Sequence, residues 1–128
     1  MSDDETYLDM SPQDRIATAA IDWLLPILSH ARTRPEMYFM PIGPTAAIHW
    51  LHGLHTGLSF WGVNWSDDHR APAVERRGLE RKASFNEDDL EMRGLPPGEI
   101  VHELLSIEVE MWQAHRDAIW QSARRRAP

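Results

Sequence analysis

Between Pro97 and the Arg124-Arg125-Arg126 cluster, Ile100, Leu104, Ile107, Met111, Ala114 and Ala118 recur at a 4-3-4-3-4 spacing. That period belongs to an α-helix about 40 Å long. Val101, Leu105, Trp112 and Ile119 widen its apolar face, and the closing arginines suit the negative end of a helix dipole. A stripe of this length must be covered by other elements. Those elements are helical, because nowhere do β-branched residues alternate over five or more positions. The expected fold class is all-α: a compact helical bundle of three main helices, 11–33, 44–61 and 97–124, with an irregular acidic connection over 64–98.

The first helix is signalled by Ser11 as cap, Pro12 at its first position and Asp14 in its first turn. Projection puts Ile16, Ala20, Trp23, Leu24, Ile27, Leu28 and Ala31 on one side, with Thr18 opposite. Pro26 is expected to kink or split this helix near Leu25. The second helix carries a stripe of Ala47, Leu51, Leu54, Leu58 and Trp61, beside small residues Ala46, Gly53 and Gly57 that invite a close backbone neighbour. It is expected to be the central, most tightly packed element. Ser66-Asp67-Asp68 can cap a short helix, and a second can start at Asn86 and end at Gly94. Residues 1–10 read as a flexible acidic arm, followed by a single domain over 11–128.

Composition narrows the function. The chain has no cysteine, which excludes a disulfide framework, a thiolate zinc site and a thiol nucleophile. A formal charge of −7 opposes general nucleic-acid binding, so no nucleic-acid partner is expected. No run approaches 18 apolar residues and the start is acidic, so the expectation is a cytoplasmic protein with no membrane partner. No nucleotide-binding or nucleophile-elbow motif is present, and no cofactor is expected. Six tryptophans in 128 residues point to large aromatics in the core or at an interface.

Two polar residues interrupt the apolar face of the last helix. Glu108 projects between Val101 and Leu104, and His115 between Met111 and Trp112. Seven residues apart, they are separated by about 10 Å and need partners from other elements. Candidates are Arg32, Arg34, Tyr38 and the histidines of the second helix. His49, His52 and His55 recur every third residue there. His49 and His52 are the candidate metal ligands, completed by Asp67 or Asp68. That spacing clamps poorly, and no H-E-x-x-H occurs, so no metal is assigned. Glu87, Asp88, Asp89 and Glu91 form an acidic patch that could bind a basic partner.

The block Arg34-Pro35-Glu36-Met37-Tyr38-Phe39 resembles R-P-G-M-Y-I-G near the start of the DNA gyrase B ATPase domain. The catalytic Glu and magnesium-binding Asn of the helix that follows there have no counterpart among His49, His52 and His55. No D-x-G-x-G loop follows, so the ATPase is excluded. Together with the run Glu103-Leu104-Leu105-Ser106-Ile107-Glu108, the block also resembles small bacterial proteins of immunity-protein type. That resemblance implies an accessory partner of a secreted toxin with no catalytic residues, and a structural pairing of Arg34 with Glu108. The expected function is therefore a non-enzymatic, bacterial, cytoplasmic protein-binding domain that neutralises a cognate toxin. Two alternatives stand beside it. One is a small metal-dependent or acid/base enzyme built on Glu108, His115 and the second-helix histidines. The other is a homodimeric structural module with tryptophans at its two-fold interface.

Overall fold

The computed structural model describes residues 3–126 and is all-α, with no strand among the described residues. Six helices follow in order: α1 (Asp3–Asp9), α2 (Pro12–Thr33), α3 (Pro44–Ser59), α4 (Asp67–Arg76), α5 (Glu87–Met92) and α6 (Pro97–Arg126). A single 3₁₀ turn, Pro35–Met37, separates α2 from α3. None of these helices is long and apolar enough to cross a membrane.

Local chemistry sets the boundaries. The Ser11 hydroxyl accepts from the Asp14 amide and starts α2, and Ser66 does the same for α4 through the His69 amide. α2 runs unbroken through Pro26, whose ring lies on the exposed side. The connection expected to be irregular thus contains two short helices, at the positions their caps marked. Asn86 precedes α5 in the left-handed region, φ 66°, which Asn tolerates better than most residues.

The central element is α6, not α3. Residues 104–108 are buried all around the helix, and α2 and α4 make the most extensive contacts with it. α1, α3 and α5 also rest on α6, which explains why a narrow stripe understates its buried surface. Only Ala47 and Leu51 of α3 are fully buried. A side chain added at Gly53 or Gly57 would meet nothing within 4 Å, so no backbone approaches the small-residue stripe within the chain.

Two further expectations change. Ile16, Trp23 and Trp61 were placed on apolar stripes, but all three are exposed, while Thr18 is buried. The Thr18 hydroxyl bonds the Met10 sulfur at 3.7 Å, so the segment between α1 and α2 covers this side of α2. Residues 3–9, expected as part of a loose arm, are the helix α1. Thr6 and Met10 are buried there, and Tyr7 lies 6.4 Å from the Trp120 ring. Residues 1 and 2 of that arm lie outside the described residues. Deleting residues 1–10 while keeping Ser11 should cost at least about 2 kcal/mol in urea denaturation, from lost burial of Met10 and Tyr7. A change below about 0.5 kcal/mol would mean that α1 is undocked.

Candidate functional site

The polar residues of α6 are held in separate pairs. Glu108, 2% exposed, meets the His55 Nε2 of α3 in a short contact. His55 is ringed by aromatics: Trp65 at 5.4 Å, Phe85 at 5.6 Å and Trp112 at 6.2 Å between centroids. Beyond Trp65 lies Arg70, a buried cation whose guanidinium stands 5.3 Å from the indole centre. Its Nη1 donates to Asn86 Oδ1 at 2.9 Å. Burial lowers the Arg70 pKa, and the carboxylates of Glu108, Asp67 and Glu87 oppose that shift. The acid and the histidine thus tie α3 to α6, while Arg70 ties α4 to Trp65 and Asn86.

His115 belongs to a second group. Its ring stacks on His69 of α4 at 4.8 Å and on Trp112 at 5.7 Å. Burial depresses its pKa below the ordinary histidine value, the neighbouring His69 adds to this, and Asp14 works against it. Among the described residues Glu108 and His115 share no hydrogen-bond partner, and the Trp112 ring stands between the two groups. Of the surface cavities of 280 to 610 Å³, none is lined by Glu108, His55 or His115; Trp65 lines the largest and His69 the smallest. The His55–Glu108 couple is enclosed by the rings of Trp65, Phe85 and Trp112, and Trp65 stands between it and the nearest cavity.

The other candidate residues stand as follows. Arg34 does not pair with Glu108. It follows the last turn of α2, Pro35 redirects the chain there, and its exposed side chain lies 3.9 Å from Glu36. Tyr38 instead bonds His30 Nδ1 at 2.7 Å and sets its ring edge-on to Trp50 at 5.7 Å. The R-P-E-M-Y-F block is thus the anchor that joins the end of α2 to the start of α3. His49 and His52 are exposed, and the His52 ring lies edge-on to Phe85. Among the described residues no three His, Asp or Glu side chains converge on a position that could hold a metal ion. Asp67 and Asp68, the proposed completing ligands, are both taken by Arg81.

The acidic patch is also partly consumed. Asp89 accepts from Asn86 at 2.7 Å and from Lys82 at 3.0 Å, and these bonds hold its carboxyl below the usual range. Glu87 is half-buried, which leaves Asp88 and Glu91 as the open members.

The most apolar of the surface cavities lies elsewhere. α2 and α3 both rest on α6, and between them runs an apolar groove of about 430 Å³ lined by Ile16, Ala20, Trp23, Gly53, Leu54, Gly57, Leu58 and Trp61. Gln13 ties its lower end, donating to the carbonyls of Trp61 and Gly62 at 3.1 and 3.2 Å. Gly62 permits that approach through φ +74° and the lack of a side chain, since an added Cβ would stand 2.7 Å from the Gln13 amide. Trp23 is 69% exposed and Trp61 66%, and the adjoining Phe60 is 84% exposed.

A signal for this face was present in the chain. Residues 37–66 contain no Asp, Glu, Lys or Arg, although one residue in four is charged overall. Compared with protein families, with curated proteins and with solved structures, the chain finds no match.

Two measurements check this geometry. Glu108→Ala should cost about 3–5 kcal/mol by leaving His55 without its buried partner, whereas the double change His55→Leu with Glu108→Leu should recover most of that loss. Equal losses in the single and double variants would break the pairing. For His115, a folded pKa below the unfolded value of 6.5 means that the unfolded chain binds more protons just below that pH. Stability should therefore be constant above about pH 6.5 and fall on acidification, more steeply in the wild type than in His115→Phe. Parallel profiles of melting temperature against pH would place the titrating group elsewhere.

Proposed function

We propose that this chain is a non-enzymatic protein-binding domain whose docking face is the α2–α3 groove. The observation that carries the reading is the pair Trp23 and Trp61, both mostly exposed on a groove floored by Gly53 and Gly57. Exposed tryptophans cost solvation and add nothing to the core, yet they are among the side chains that most often dominate binding energy. Glycines in mid-helix also weaken α3 relative to alanine. Their open surface supports a use outside the fold, where a partner's side chain or backbone comes close.

The biological class, a bacterial cytoplasmic domain that neutralises a cognate toxin, follows from the resemblance of Arg34-Pro35-Glu36-Met37-Tyr38 to proteins of immunity type. The net charge of −7, with Asp88 and Glu91 open, would steer a basic partner without supplying most of the affinity.

Photo-crosslinking in cells tests the docking face. A benzoylphenylalanine replacing Trp23 or Trp61 should form an adduct with a protein, and the same group replacing Glu91 should not. Trp23→Ser should reduce crosslinking from position 61 about ten-fold or more, as loss of an interface anchor does. Adducts from position 91 alone, or from none of the three, would overturn the reading.

A further inference from the structure

We infer that the occupant of the α2–α3 groove is a second copy of this chain, bound about a two-fold axis. The inference rests on the reading of this groove as a docking face and gives that face to a second copy of the chain, not to a toxin.

Charge is the first argument. Two copies each carrying −7 repel over most of their surfaces. The stretch 37–66, which contains all of α3, is free of carboxylate, ammonium and guanidinium groups. On that face two copies can meet without setting like charges against each other. Its titratable groups are Tyr38 and the histidines His49, His52 and His55, and His55 is already engaged by Glu108.

Shape is the second. A two-fold interface uses the same patch on both sides, so that patch must present both projections and recesses. Here Trp61 and Trp23 project beside a recess of about 430 Å³. The open Cβ positions of Gly53 and Gly57 leave room for the ring of the opposing copy.

Area is the third. With Ile16 at 41%, Trp23 at 69%, Trp61 at 66% and Phe60 at 84% exposure, four side chains leave on the order of 600 Å² open per copy. The half-buried Leu54 and Leu58 and the open Gly53 and Gly57 bring the face towards one side of a standard interface, about 800 Å². A lone monomer carries an apolar patch of that size only at the upper edge of what is common.

Sedimentation equilibrium on the purified full chain decides the matter. Up to about 100 µM, well above a micromolar dissociation constant, the wild type should move from 14.8 kDa towards twice that mass. Trp61→Glu and Gly57→Glu should each weaken association at least about ten-fold, because each places two carboxylates across the axis. Both should keep the wild-type helical circular dichroism, since position 61 is exposed and position 57 has open space. Asp88→Lys serves as the distant control and should leave the dimer intact. A wild type that stays at 14.8 kDa overturns the inference, as does a dimer that neither glutamate variant weakens. Monomeric wild type with crosslinks from positions 23 and 61 to a different protein would give the groove to that protein. The docking-face reading would then stand while the second copy falls.

Discussion

A carboxylate in the middle of the longest helix governs this structure. Glu108 sits where α6 is covered on every side, and a buried charge there is tolerable only with a partner in contact. His55 supplies that contact from α3, and Arg70 contributes opposite charge from α4. The requirement fixes the rotation of α3: once His55 turns inward to Glu108, the residues near it on the opposite side of the helix must turn outward. Gly53, Gly57 and the end at Trp61 are therefore left to line a groove. The exposed face of α3 is thus a geometrical consequence of how its buried polar pair is satisfied.

Several other polar groups fasten the helices to one another. Asn86 in its left-handed turn gathers Arg70, the Glu80 carbonyl and Asp89, and so joins α4 to α5. Arg77 reaches Glu103 and Glu110 and fastens α4 to α6 from outside. These contacts consume much of the charge that could otherwise bind a ligand. The α2–α3 groove takes no part in this fastening: its lining is apolar and carries no charged side chain.

Much of this architecture was legible in the sequence. Ser11-Pro12 and Ser66 marked helix starts that the structure keeps, and the 4-3-4-3-4 spacing located α6. The buried state of Glu108 followed from its place on the apolar arc. Its partner was less legible. A projection orders residues around one helix but does not say which other helix lies over them, so Arg34 and His55 were equally available. The same gap misplaced Ile16 and Trp23. They share an arc with Leu24 and Leu28, and the packing of α6 and of Met10 against α2, which a projection does not show, decides which part of that arc is closed. The charge-free run 37–66 was a usable signal for the docking face, because absence of charge over thirty residues of a charged chain demands either burial or an apolar partner.

The most direct test of the docking face is a concentration series of indole N–H resonances, with Trp23 and Trp61 assigned by Trp→Phe variants. The signals of Trp23 and Trp61 shift or broaden as the chain is concentrated if a second copy covers the α2–α3 face, or on adding cell extract if a different protein does, while that of the fully buried Trp112 stays fixed. Indole signals of Trp23 and Trp61 that remain constant on concentration, and also in extract from the cells that make the protein, would contradict the account.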